Sequence, residues 1–145
     1  GIVQDYRYDY LCVEPKIVWA PSVFFEAEYK ATVSCVGGGI GEDTSLDPLW
    51  EVAQRLTLSL EFHDTEFRLS GEHFYNDLSK NQHLNIWLAD VSLIHKAGKW
   101  RFAASAINLF NKEQYRYTLY SAVQSYTSWI KLRPREFMVS VQYQW

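Results

Sequence analysis

The chain has little sulfur, little proline and no strong charge of either sign. Among its 145 residues are two cysteines, one methionine and four prolines, and the formal net charge is −3. That balance leaves no basic footprint for nucleic acid. Cys12 and Cys35 match no metal-ligand spacing. They read as two unpaired small hydrophobes, and a disulfide is open to them in an oxidising compartment. No apolar run approaches the ~20 residues that a membrane helix needs. The histidines His63, His73, His83 and His95 fall at turns and strand ends with no His-x-x-x-His pair, so no metal site is expected. No serine-centred nucleophile motif occurs either, and the chain is expected to be neither an enzyme nor a cofactor binder. The stretch Gly37-Gly38-Gly39-Ile40-Gly41-Glu42-Asp43 is expected to be a flexible loop; no Gly-Lys-Ser/Thr follows it, as a phosphate loop requires. No signal peptide is evident and the first residue is Gly1, so the chain reads as a mature or trimmed segment.

What is abundant is aromatic. Phe, Trp and Tyr make up 17 % of the residues, with six Trp and ten Tyr. Side chains with an apolar body and a polar tip suit a core, an interface or a membrane belt. The mean hydropathy of −0.25 does not argue against a membrane barrel, in which only alternate residues meet lipid.

The last stretch has this alternation throughout. Phe137, Val139, Val141, Tyr143 and Trp145 are apolar or aromatic, and Glu136, Met138, Ser140, Gln142 and Gln144 lie between them, polar except for Met138. A strand sends successive side chains to opposite faces, so one face is oily and the other wet. The sequence closes on an aromatic of the oily set, a pattern suited to a transmembrane barrel strand.

The same pattern recurs upstream. Tyr10–Ala20 reads as a strand interrupted at Pro15, with a turn at Pro21-Ser22. Phe25, Ala27, Tyr29, Ala31 and Val33 alternate with Glu26, Glu28, Lys30, Thr32 and Ser34. Leu56–Phe62 and Phe67–Gly71 predict a hairpin. With Asp64-Thr65 as its loop, Phe62 faces Phe67, Leu60 faces Leu69 and Glu61 faces Arg68. A second hairpin with Ala97-Gly98 as its loop sets Leu93 against Phe102, Val91 against Ala104 and Asp90 against Ser105. Asn76–His83 and Ser121–Lys131 read as polar loops. The oily parity flips across Asn111-Lys112-Glu113-Gln114, which requires a turn or a bulge within one long strand. About seven strands are expected, in an all-β antiparallel meander. The carboxylate pairs Glu26/Glu28 and Glu61/Glu72 lie on wet faces beside Lys30 and Arg68, and read as charge ladders, not as acid/base pairs.

Two motifs carry a resemblance. Asn108-Leu109-Phe110-Asn111-Lys112 and, downstream, Leu132-Arg133-Pro134-Arg135-Glu136-Phe137 through the terminal aromatic resemble the carboxy-terminal end of TonB-dependent outer-membrane receptors. The likeness is good from about Leu56 to Trp145 and looser from Tyr10 to Ser34. The family is a barrel of about 22 strands around an amino-terminal plug, importing scarce nutrients into Gram-negative bacteria. The resemblance implies that residues 1–145 form the carboxy-terminal part of such a barrel, in the outer membrane, with the flip at 111–114 a bulge in the next-to-last strand. It implies a lipid-facing terminal strand, Phe137 to Trp145, read by the barrel-assembly machinery. It also implies coupling to the TonB complex through a plug that nothing in this sequence resembles. The Arg-Pro-Arg start replaces the Gly-x-Pro-Arg of many siderophore receptors, so the nutrient stays unnamed. With a periplasmic terminus, Trp19, Trp100 and Trp145 fall at the inner rim and Trp50, Trp87 and Trp129 near the outer one. Tyr117, Tyr120, Tyr126 and Trp129 are candidates to stack on a ligand at the last outer loop, with rim anchoring as the plainer role.

Two alternatives stand beside this. A small autonomous outer-membrane barrel of structural or adhesive role needs an eighth strand from Ile2–Tyr8. A soluble lipocalin-like or sandwich binder turns its oily face inward and buries Leu56, Leu58 and Leu60 under protein.

Overall fold

The alternation extends further along the chain than the sequence suggests. The computed structural model describes residues 6–40, 44–79, 82–120 and 125–145. Ten strands follow in order: β1 (Tyr6–Val13), β2 (Lys16–Ser22), β3 (Phe25–Ile40), β4 (Thr44–Phe62), β5 (Thr65–Ser79), β6 (Gln82–Ala97), β7 (Trp100–Ile107), β8 (Gln114–Tyr120), β9 (Ser125–Lys131) and β10 (Glu136–Tyr143). The fold is all-β and antiparallel. β3 to β6 are 16, 19, 15 and 16 residues long, against the ~3–10 usual in globular domains.

β1 and β2 are two halves of one strand. Both pair with β3, β1 along Val33–Ile40 and β2 along Phe25–Lys30. The break at Glu14-Pro15 falls where a proline cannot donate to the ladder. Even there the Ala31 amide donates to the Pro15 carbonyl at 3.0 Å. The main sheet then runs β3, β4, β5, β6, β7, β10. With β1 and β2 sharing one place, the strands occupy seven places across it. β8 and β9 form a separate hairpin between β7 and β10. Among the described residues β1 and β2 do not pair with β10, so the sheet is open at both edges.

Several sequence expectations need correction. Gly37–Gly39 belongs to β3, not to a loop; Gly41, Glu42 and Asp43 lie outside the described residues. Gly38 approaches β1 so closely that a Cβ there would collide with the Arg7 carbonyl oxygen. The Asn76–His83 loop shrinks, because β5 reaches Ser79 and β6 starts at Gln82. Much of Ser121–Lys131 is the strand β9, and residues 121–124 lie outside the described residues. Both hairpin registers are off by two. The loops are His63-Asp64 and Gly98-Lys99, so Leu60 faces Phe67, Glu61 faces Glu66 and Leu93 faces Ala104. A shift of two leaves every side chain on its face, so alternation cannot detect it. Turn geometry decides: the first loop residue takes a positive φ in each case, 53° at His63 and 58° at Gly98. That is the demand of the primed hairpin turns.

The apolar face of the sheet has no second layer among the described residues. The chain's accessible surface is 10939 Å², where a compact monomer of 17.0 kDa exposes roughly 7,700 Å². Among the described residues only Ala31, Ile86 and Ala106 are buried apolar side chains. Cys12 and Cys35 are free. Cys12 faces Ser34 and Leu11 faces Cys35, so the two thiols lie on opposite faces of the sheet, out of bonding reach.

Candidate functional site

The ladders fix which side chains share a face. One unbroken line of opposed residues runs Trp19, Ala27, Leu58, Leu69, Val91, Ala106, Phe137, from β2 to β10. All seven belong to the apolar face. Phe25, Tyr29, Val33, Trp50, Leu56, Leu60, Phe67, Trp87, Leu93, Trp100, Val139, Val141 and Tyr143 share it by the same registers. Five of the six tryptophans are thereby on one face: Trp19, Trp50, Trp87, Trp100 and, continuing β10, Trp145. The side chains on this face are largely exposed; Val139 is 80 % and Phe137 71 % accessible.

The band on that face is oblique to the strands. The turns descend as a staircase: Phe25 sits opposite Leu60, two residues before Phe62 closes the next turn. Thr65 sits opposite His95, two residues before Ala97 closes the one after. The aromatics follow the same line. The terminal-side aromatic on β2 is Trp19; on β10, six strand steps away, it is Tyr143, six residues beyond the level of Trp19. At ~3.3 Å per residue and ~4.8 Å between strands, both series incline by about 35°. Trp100, Tyr143 and Trp145 cluster at this lower border, with ring centroids 4.8 Å apart for Trp100–Tyr143 and 5.5 Å for Tyr143–Trp145. Trp50 and Trp87 mark the upper border. Along β3 the band runs from Phe25 to Cys35, about 27 Å measured perpendicular to its borders at that inclination.

The band has one polar insertion. On β3 to β6 the Tyr29 hydroxyl donates to Gln54 Oε1 at 2.8 Å, and the Gln54 amide meets His73 Nδ1 at 2.7 Å. The other ring nitrogen of His73 meets Asn85 Oδ1 at 3.0 Å, and its ring stacks on Trp87 at 4.2 Å. Because Gln54 can only donate from its nitrogen, Nδ1 of His73 accepts and Nε2–H donates to Asn85. The chain of donors therefore runs in one direction, towards the upper border. Gln54→Leu strands the His73 acceptor and the Tyr29 hydroxyl together. It is expected to lower stability by about 1–3 kcal/mol, and the triple change with His73→Leu and Tyr29→Phe to recover most of that. Unfolding midpoints of the three variants check it.

The opposite face is charged. Lys16 and Lys30 both bridge Glu28, at 3.0 and 2.6 Å, Arg55 bridges Glu72, and Arg68 holds Glu66 at 3.2 Å. Glu28 and Glu72 are thus tied in ion pairs. Arg68 pairs along its own strand and not with Glu61, because the register differs. Further up, this face turns apolar at Ala53, Phe74, Ile86 and Leu88.

The expected bulge is a larger device. After β7 the chain leaves the sheet at Asn108, re-entering a ladder only at Gln114. Asn108 and Asn111 have φ of 53° and 52°, a conformation asparagine tolerates best after glycine. Buried Asn108 is a clasp. Its Nδ2 donates to the Lys112 and Arg133 carbonyls at 2.8 and 2.7 Å, and its Oδ1 accepts from the Lys112 amide at 2.9 Å. Its own amide donates to Asp90 on β6 at 2.8 Å. Asn111 Oδ1 accepts from the Arg135 amide at 3.0 Å. The Asn-Leu-Phe-Asn and Arg-Pro-Arg segments therefore meet, joined through side chain to backbone. Sequence reasoning located both motifs but not this contact, which spans 25 residues.

Of the proposed stacking group, Tyr126 and Trp129 do not share a face. Tyr126 and Trp129 are exposed on β9, facing Leu119 and Arg116 respectively. An odd separation along a strand puts them on opposite faces of the hairpin. The side chains of Tyr117 and Tyr120 lie outside the described residues. Among the described residues no group of three or more His, Cys, Asp or Glu side chains comes together as a metal site. No helix is long and apolar enough to cross a membrane, which says nothing of strands. Compared with known protein families, curated proteins and solved structures, the chain matches none.

Proposed function

We propose that the chain is part of the wall of an outer-membrane β-barrel of the TonB-dependent receptor kind, serving uptake of a nutrient ligand. The observation that carries this reading is the bare, oblique apolar band. Strands of membrane barrels tilt by about 35–45°, and their lipid-facing band is about 25 Å tall with aromatic borders. An inclination of about 35° and a height of about 27 Å agree with both. Under this reading the charged face lines the lumen, and the strands beyond Trp50 and Trp87 project outwards. The terminal strand is the part offered to the barrel-assembly machinery, and the TonB complex acts through a plug outside this chain. The ligand-contact roles of Tyr117, Tyr120, Tyr126 and Trp129 remain proposals of this reading.

The two alternatives fit less well. Tyr6–Tyr8 lies in β1, which shares one place with β2, so it adds no eighth place to close a small barrel. A soluble binder needs a layer over Leu56, Leu58 and Leu60, and among the described residues none is present. The test is folding of this chain in detergent micelles, read by heat-modifiable gel mobility and β-type circular dichroism. The expected result is stable folding only when the strands completing the barrel are supplied. A compact, heat-sensitive species formed by the chain alone points to a small barrel, and monomeric folding in plain buffer points to the soluble binder.

A further inference from the structure

The apolar face changes its chemistry at the level of Trp87. On β5 and β6 the opposed pairs Phe67–Leu93, Leu69–Val91 and Gly71–Ala89 carry no polar side chain. The next three pairs, going up, are His73–Trp87, Tyr75–Asn85 and Asp77–His83. Asn85 is exposed. On β6 it stands between Trp87 and His83, about 6.6 Å along the strand from each. Both neighbours belong to ring stacks that reach across to β5, Trp87 on His73 at 4.2 Å and His83 on Tyr75 at 5.8 Å.

The polar relay that climbs the band ends at Asn85. The Tyr29 hydroxyl and the His73 Nε2–H are both used inside it. Asn85 accepts from His73 through Oδ1, so both N–H groups of its Nδ2 are left for a partner. The bonds behind that amide polarise it as a donor. Hydrocarbon offers such a donor nothing, whereas a headgroup at the border can accept from it. Charge narrows the choice of headgroup. Below the level of Trp50 the registers place no lysine or arginine on this face, from β2 through β7 or on β10. At that level stands a carboxylate, Asp77, which accepts from the Tyr75 hydroxyl at 2.7 Å and the Trp50 amide at 3.0 Å. A phosphate therefore finds no counter-charge here. A sugar fits, because its hydroxyls both accept and donate and its flat C–H faces lie well on aromatic rings.

We propose that Asn85, with Trp87, Tyr75 and His83 around it, holds the sugar headgroup of a neutral glycolipid. Sugar hydroxyls accept from Asn85 Nδ2 and meet the ring nitrogens of His83, and the sugar ring lies against the exposed Trp87. The acyl chains run down the apolar face over Ala89, Val91 and Leu93. The occupant follows from continuity: the hydrogen-bonding row is the top of the same band that the acyl chains cover. The inference rests on the barrel-wall reading and adds lipid selectivity to it.

The test is lipid retention by the folded protein taken from phosphatidylcholine bilayers that contain galactosyl diacylglycerol and phosphatidylglycerol in equal amounts, read by native mass spectrometry. Galactolipid is expected to be retained over phosphatidylglycerol. Asn85→Asp keeps the acceptor for His73 and removes both donors, so the relay survives; it is expected to lower galactolipid retention roughly fivefold and not to raise that of phosphatidylglycerol. Asn85→Leu is expected to lose at least as much. Equal retention of the two lipids, a preference for phosphatidylglycerol, or galactolipid retention unchanged in Asn85→Asp overturns the proposal. A dimer that Asn85→Asp abolishes assigns the row to a second copy and overturns it too. Spin labels on β4 in the same bilayers separate the two failures. Lipid contact at Leu56, Leu58 and Leu60 without glycolipid preference rejects this inference alone; no lipid contact there rejects the barrel-wall reading and this inference with it.

Discussion

Asn108→Leu is expected to cost about 4 kcal/mol of stability: about 1 for each of three lost side-chain hydrogen bonds and about 1–2 for a branched side chain held at positive φ. The three bonds are those to the Lys112 carbonyl, the Arg133 carbonyl and the Lys112 amide. The whole stability of a domain is about 5–15 kcal/mol, so the loss is large. Asn108→Gly keeps the backbone conformation and loses only the side-chain bonds, so it is expected to fall between the two. Asn108→Asp keeps the acceptor for Lys112 but sets an anion against two carbonyl oxygens, and is expected to behave more like leucine than like glycine. Urea midpoints of the folded protein give the order; a leucine variant as stable as the parent would remove the clasp from the account.

Val139→Arg is the second large effect. Val139 lies near mid-band on β10, four residues from Tyr143 at the lower border, faces Ala104 and is 80 % exposed. An arginine on a lipid face near the bilayer midplane costs ~2–4 kcal/mol. The adjacent Ser140→Arg, facing Ala103 on the charged face, is expected to be nearly neutral. In water the two positions would tolerate arginine alike, because both are exposed. Unfolding of both variants from bilayers measures the contrast, and equal costs would contradict a lipid-facing band.

Alternation made the strands and their faces legible, because side-chain direction has a period of two and needs no tertiary information. It could not read register, since sliding by two residues is silent, and the hairpin partners were missed until His63 and Gly98 showed their positive φ. Strand length was underestimated where glycine at Gly37–Gly39 and polar residues at Asn76–Ser79 carry no oily parity, although neighbouring strands still pair with them. The Asn108 clasp was visible only as a motif, because its partners are backbone atoms near Lys112 and Arg133. The inclination of the band was beyond the sequence altogether: it is a product of register and composition across six strand steps.

The most direct measurement is the environment of successive residues along β4 in bilayers holding the folded protein. Single spin labels at Leu56, Thr57, Leu58, Ser59 and Leu60, in the cysteine-free background, are compared for contact with oxygen, which concentrates in lipid, and with a water-soluble nickel complex. The barrel-wall account predicts oxygen contact at Leu56, Leu58 and Leu60 and nickel contact at Thr57 and Ser59. Nickel contact at both sets, or protection of Leu56, Leu58 and Leu60 from both reagents, would contradict it.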